Sequence, residues 1–244
     1  MTKPIKKAGF SQGIYEQSKT AKEMLGTIRI LQDGRKFRYA KAGSSALVAG
    51  KMGLGASLDS AHVNQSITAA VPLGEHTLDL TVTAGTAIAE DELRGGYFMV
   101  QDGTGEGQNL LIAGNSAMSA SGTSIQVALD DQIRVALDTT SEFSLVRSPW
   151  YAVYESATAE QMVAGVPPIA VTTLYYYWAQ TGGVCNVLQE GTPAVGTNLV
   201  VSTATAGAVV AISSSVDVDL PIIGYTYGTA GVAGEYTPVF LTID

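Results

Sequence analysis

Short stretches of alternating apolar and polar residues, broken about every 8–12 residues by turn signals, limit this chain more than any other feature of its sequence. Thr77-Leu-Asp-Leu-Thr-Val-Thr83 has strict period two, and Ser124-Ile-Gln-Val-Ala-Leu129 continues it. Tyr97-Phe-Met-Val-Gln101, Asn109-Leu-Leu-Ile112, Arg134-Val-Ala-Leu137 and Phe143-Ser-Leu-Val146 are strand-like runs between turns such as Asp102-Gly-Thr-Gly-Glu-Gly107. A second series starts after Pro167-Pro168 with Val171-Thr-Thr-Leu-Tyr-Tyr-Tyr-Trp-Ala-Gln180 and runs through residues 184–188, 198–201, 208–212, 222–227 and 239–243. With 27 glycines in 244 residues and only 15% charged side chains, the expected fold is all-β: an N-terminal extended arm and hairpin followed by two small barrel or sandwich units. The expected divisions are a basic arm and hairpin over 1–51, a linker over 52–70, a β domain over 71–148, a connector over 149–166 and a C-terminal β domain over 167–244. A short helix capped by serine is expected to start near Ser44 and end at Gly50, and about one helical turn is expected near 159–165.

Charge is divided unevenly. Residues 1–51 hold eleven cationic side chains against Glu16, Glu23 and Asp33, a net of +8; the remainder holds Arg94, Arg134 and Arg147 against nineteen acids, a net of −16. A basic leader on an acidic body suggests docking on something acidic. Within it, residues 27–43 read as a hairpin turning at Asp33-Gly34, a pair suited to a two-residue type I′ turn. That register puts Ile28, Ile30, Phe37 and Tyr39 on a greasy side and Arg29, Lys36 and Arg38 on a basic one. Such a hairpin is marginal alone and needs a partner surface. Ordering the arm costs ~1–2 kcal/mol per residue, which burial of large apolar side chains at ~1.5–3 kcal/mol each must offset. Phe37 and Tyr39 are therefore expected to matter more for docking than Lys6.

Little points to catalysis. The chain has His62, His76 and one cysteine, Cys185, too few for a triad or a histidine-rich metal site. Cys185 lies in an alternating segment and reads as a small buried hydrophobe, and the histidines as surface or hydrogen-bonded groups. Residues 102–107 lack the Lys-Ser/Thr of a phosphate loop and the spaced acids of an EF-hand, and read as a glycine turn. Asp130-Asp131 and Asp217-Val-Asp219 read as solvated strand ends. No carboxylate pair sits in a glycosidase motif, no cofactor is expected, and the chain is not expected to be an enzyme. Lys3, Lys6 and Lys7 could meet phosphates, but the acidic body would repel a duplex, so specific nucleic-acid binding is not expected. No signal peptide or run of ~20 apolar residues is visible, so membrane insertion is not expected. Tyr175 and Tyr177 fall on one face of their strand and Tyr176 and Trp178 on the other, which suits a core or subunit interface, with a carbohydrate platform as the alternative.

The stretch Leu25-Gly-Thr-Ile-Arg-Ile-Leu-Gln-Asp-Gly-Arg-Lys-Phe-Arg-Tyr-Ala-Lys-Ala-Gly43 resembles the N-terminal signature of tailed-phage virion proteins that accompany the major capsid protein. Tyr177-Trp-Ala-Gln180, Gly191-Thr-Pro-Ala-Val-Gly-Thr-Asn-Leu199, Ile223-Gly-Tyr225 and Glu235-Tyr-Thr-Pro-Val-Phe-Leu241 also resemble that family, while residues 52–165 do so more loosely. The resemblance implies a capsid decoration or cement protein with no cofactor, made in the host cytoplasm and carried on the exterior of the virion. Its implied partners are the major capsid protein and further copies of itself, by analogy in threes. Ile28, Ile30, Arg35, Phe37, Arg38, Tyr39 and Lys41 are the expected contacts. A head fibre or adhesin-like carbohydrate-binding module is the alternative function.

Overall fold

The computed structural model describes residues 9–157, 162–213 and 219–244. Its strands are β1 (Ile28–Ile30), β2 (Lys36–Lys41), β3 (Gly53–Leu54), β4 (Gln65–Ser66), β5 (Thr77–Thr81), β6 (Tyr97–Asp102), β7 (Asn109–Asn115) and β8 (Ser124–Leu129), followed by β9 (Glu142–Val146), β10 (Val163–Gly165), β11 (Tyr176–Glu190), β12 (Asn198–Val201), β13 (Val209–Ala211), β14 (Gly224–Thr226) and β15 (Tyr236–Thr242). The chain is all-β and forms two compact units, one from the residues up to Ala56 together with those from Trp150 onward, the other from Ser57–Pro149.

Unit 1 is built on one sheet in the order β1-β2-β11-β13-β12-β14-β15, and β11 also pairs with β15, so the last five strands close a barrel. The 15-residue β11 makes this possible. Its first half pairs antiparallel with β2, from Tyr176↔Lys41 to Gly182↔Lys36, and its second half with β15, from Gly182↔Thr242 to Leu188↔Tyr236. Val187, Leu199, Val201, Val209, Val239 and Leu241 fill the barrel.

Several expected boundaries fall differently. The hairpin is not a separate arm, because β2 is hydrogen-bonded into the sheet. Met52 and Leu54, placed in a linker, are fully buried in unit 1. Val153, placed in a connector, is also fully buried and bridges to Ala42. The expected helical turn after Ala159 falls partly outside the described residues; Val163–Gly165 is strand paired with β3. No helix forms over 44–50, since the backbone of Leu47 exchanges hydrogen bonds with Val171 at 2.9 Å. These segments are short and apolar, and burial against a distant strand overrides their local preference.

Unit 2 is a six-stranded sheet in the order β4-β9-β6-β7-β8-β5. Leu78 and Leu80 turn inward from β5 while Thr77, Asp79 and Thr81 face out, as the alternation requires. Phe98 stacks on Phe143 at 5.4 Å in the core. Side chains nearly close the sheet: Gln65 Oε1 accepts from the Thr83 backbone N–H at 2.8 Å, and the Thr68 and Thr81 hydroxyls meet at 3.1 Å.

Candidate functional site

The hairpin that carries the expected contact residues turns through three residues rather than two. Leu31 N–H donates to Arg35 O at 2.9 Å and Gly34 N–H to Leu31 O at 3.0 Å, leaving Gln32, Asp33 and Gly34 as the loop. Only Gly34 takes a positive φ, 84°, which is the geometry of a type I turn closed by a glycine bulge. The extra residue moves the pairing by one position, to Ile28↔Arg38, Arg29↔Phe37 and Ile30↔Lys36. A one-residue change exchanges faces. Ile28 and Ile30 therefore share a side with Lys36 and Arg38, while Arg29 shares the other with Phe37 and Tyr39. The expected division into a greasy and a basic side is incorrect.

The inner side is occupied by the chain's own N-terminal segment. Phe37, Tyr39 and Trp178 have no exposed surface, and Phe10, Ile14 and Leu25 pack on them. Phe10 meets the Trp178 ring edge-on at 5.0 Å, and Arg29 lies over Phe10 at 5.0 Å. Gln12, 2% exposed, ties the arrangement together. Its Oε1 accepts from the Tyr39 hydroxyl and Ser18 Oγ, both at 2.8 Å, and its Nε2 donates to Glu16 O at 2.8 Å and Tyr176 O at 3.1 Å. Its backbone oxygen accepts from Trp178 Nε1 at 3.1 Å and Arg29 at 2.9 Å. Residues 9–26 are thus folded onto unit 1, contrary to the expectation of an arm with no core of its own. Phe37 and Tyr39 are core residues, unable to touch a partner while the fold is intact. Lys3, Lys6 and Lys7 lie outside the described residues.

The outer side presents Ile30, 60% exposed, and Ile28, 41% exposed. Thr27 O accepts from Tyr39 N–H at 3.0 Å and Leu31 N–H donates to Arg35 O at 2.9 Å, so the odd-numbered positions bond across the hairpin and the polar backbone groups of Ile28 and Ile30 point the opposite way, along the free edge of the sheet. The expected cations are engaged within the chain. Arg35 bonds Asp33 at 2.7 Å. Arg38 holds Asp244 with two bonds, at 2.8 and 2.9 Å, and lies over the Trp150 ring at 4.9 Å. Lys41 Nζ sits 4.8 Å from the Tyr151 ring and 5.4 Å from Tyr176. The Arg38 guanidinium holds the Asp244 carboxyl below the usual carboxylate range. Beside the hairpin is a hollow of about 370 Å³ lined in part by Tyr15, Arg35, Pro168, Val184 and Tyr236.

Among the described residues, the remaining candidates lie apart from one another. Cys185 is half-buried, and burial pushes its thiol up to about 12, away from thiolate chemistry. His76 is exposed before β5, as expected of a surface group, whereas His62 is buried at 2% exposure in a 3₁₀ turn and is not a surface histidine. Its Nδ1 lies 3.7 Å from Asp59 Oδ2, and desolvation lowers its pKa against the opposing pull of Asp59. Arg147 and Glu92 pair beside it at 2.8 Å. Residues 102–107 are a turn with positive φ at Gly103, Gly105 and Gly107. Asp131 bonds Arg134 at 3.1 Å; Asp217 lies outside the described residues. Among the described residues, no three His, Cys, Asp or Glu side chains converge as metal ligands, and no helix is long and apolar enough to cross a membrane. Tyr177 and Trp178 are fully buried and cannot touch a ligand in this fold, while Tyr175 and Tyr176 are half-buried. Burial raises the Tyr177 phenol well above its usual value.

Comparison with protein-family models, curated proteins and solved structures found no match to the chain.

Proposed function

We propose that this chain is a non-enzymatic structural protein that attaches to the outer surface of a tailed-phage capsid and stabilises the shell. The supporting observation is where the family-like segments lie in the fold. Residues 25–43, 177–180, 191–199, 223–225 and 235–241 all belong to unit 1, and none falls in Ser57–Pro149. Segments far apart in sequence thus combine in one compact unit, as expected if the resemblance reflects one ancestral domain. The attachment differs from a docking arm. The hairpin is already folded and offers the edge of β1, with two exposed isoleucines, to a strand or apolar groove of the capsid protein. Adding a strand to a free sheet edge gives affinity through backbone bonds and specificity through alternate side chains.

The test is co-sedimentation of the full chain with empty shells of a tailed phage whose major capsid gene adjoins the gene for this chain. Saturable binding and a higher shell melting temperature are expected. Ile28→Glu and Ile30→Glu should each weaken binding about tenfold or more while leaving the chain folded, because each removes ~1.5–3 kcal/mol of apolar burial. Absence of binding would refute the function; wild-type binding by both variants would refute the edge as its site.

A further inference from the structure

Two aspartates of this chain stand directly before glycine, Asp33 and Asp102, and both are exposed in turns. Glycine has no side chain to shield its nitrogen, so an aspartate before it has a nucleophile beside its own carboxyl. The fold disposes the two pairs differently. Asp102 ends β6, and Gly103 opens the turn with a positive φ of 76°. Its N–H donates to Asp102 Oδ1 at 2.8 Å. The carboxyl carbon is one bond from that oxygen, which brings nitrogen and carbon to about the 3–3.5 Å at which reacting atoms are poised. At the hairpin, Gly34 N–H is instead taken by Leu31 O at 3.0 Å. The Asp33 carboxylate turns onward to Arg35, its oxygens accepting from the backbone N–H at 3.0 Å and from Nε at 2.7 Å. Those bonds lower its pKa and hold it ionised, and a carboxylate resists attack by a nucleophile.

We propose that Asp102-Gly103 is a covalent modification site, at which the folded chain converts its own backbone to isoaspartate. The Gly103 nitrogen loses its proton and bonds to Cγ of the protonated Asp102 carboxyl. The carboxyl C–OH bond breaks, and the hydroxyl leaves with that proton as water, closing a five-membered succinimide. Water then adds at the Asp102 backbone carbonyl and breaks its bond to the Gly103 nitrogen, leaving that nitrogen on Cγ and a free α-carboxylate. One water leaves and one enters, so no oxidant, reductant or further reactant is needed. The new link is one carbon longer, and the turn has little room for it. An atom added to the Gly103 Cα would collide with Thr140 O, and Thr104 O accepts from Ser141 Oγ at 2.6 Å across the same contact. Modification should therefore push the turn away from Thr140 and Ser141 and loosen this end of unit 2. None of this rests on shell attachment.

The test is timed incubation of the full chain, folded in one arm and unfolded in guanidinium chloride at the same mildly acidic pH in the other, followed by peptide mapping. Isoaspartate is read as a peptide of unchanged mass and altered retention that accepts a methyl group from an isoaspartate-specific methyltransferase. In the unfolded chain both pairs should isomerise at similar rates. In the folded chain Asp102 should react at least as fast as it does unfolded, and at least about tenfold faster than Asp33, whose attacking nitrogen and carboxyl are both engaged elsewhere. Asp102→Asn should lose its amide through the same ring, gaining about one mass unit in that peptide. Asp102→Glu, which would need a six-membered ring, should leave the peptide unchanged. Slower reaction of Asp102 in the folded than in the unfolded chain would overturn the proposal, as would equal rates at Asp33 and Asp102 in the folded chain or an Asp102→Asn variant that keeps its amide.

Discussion

Replacing Gln12 by Ala should detach the N-terminal segment from the barrel sheet while leaving most of its apolar contacts available. The substitution removes four side-chain hydrogen bonds, including the one to the buried Tyr39 hydroxyl. Each such bond contributes ~0.5–1.5 kcal/mol net, and an acceptor left buried without a partner costs ~1–3 kcal/mol. Tyr39 is spared part of that loss, because its oxygen still accepts from Lys22 N–H at 3.0 Å, and the Ser18 hydroxyl, whose single proton is shared between Gln12 Oε1 and Thr20 O, can give it wholly to Thr20 O. The expected loss is therefore about 2–4 kcal/mol, below the simple sum of four bonds. Both tryptophans, Trp150 and Trp178, lie in unit 1, so tryptophan fluorescence during urea unfolding reports this unit without interference from unit 2. The variant should also be cut faster by trypsin at the exposed Lys19 and Lys22. Stability within about 0.5 kcal/mol of wild type, the range of an ordinary surface substitution, would refute the role assigned to Gln12.

Other expectations concern the turn, two ionisable groups and the sheet edge. Deleting Gln32 leaves a two-residue Asp33-Gly34 turn closed by the same Leu31–Arg35 pair, so it should keep the register and faces of the hairpin and shift the fluorescence melt by less than about 1 kcal/mol, and Gly34→Ala, at φ 84° with no atom near its added carbon, should cost about 1 kcal/mol. The folded pKa of His62 is lowered, so its protonation favours the unfolded state: unit 2 should be fully stable above about 6.5, its ordinary value, and weaken as pH falls toward the depressed one. Hydrogen exchange at Val127 and Leu145 should show that loss, and His62→Gln should flatten it. Asp244→Asn should cost unit 1 about 1 kcal/mol, since the Arg38 pair is bidentate but partly exposed. The stabilisation from Asp244 should be present above its ordinary pKa of 3.8 and disappear as pH falls through its lower folded value, with urea melts from pH 5 to 2 as the check. Ile30→Glu should reduce shell binding without shifting either unit's melt.

Strand existence was legible because alternation is a local property: Leu78 and Leu80 against Thr77 and Asp79 report a half-buried strand without knowledge of its neighbours. The opposite faces of Tyr175–Trp178 were legible for the same reason. Hairpin register was not, because Asp-Gly fits both a two-residue turn and the end of a three-residue one, and one position of slip reverses every side chain. The N-terminal segment was misread because its anchors are single residues. Phe10 and Gln12 in a polar stretch show no periodicity, and the partners of Gln12 at Tyr39 and Tyr176 are 27 and 164 positions away. A lone aromatic followed by a glutamine two residues on is too common to signal this. The basic character of the hairpin was read correctly as composition and incorrectly as an available surface, since the partner of Arg38 is Asp244, at the far end of the sequence.

Hydrogen exchange of the chain, free and bound to shells, tests most directly whether a pre-folded hairpin edge is what meets the capsid. The backbone amides of residues 9–41 that are hydrogen-bonded within unit 1 should already be protected in the free chain to a degree comparable with β11, and binding should add protection mainly at Ile28 and Ile30. Free exchange across residues 9–41 in isolation, with protection appearing only on the shell, would contradict the account and restore a docking arm.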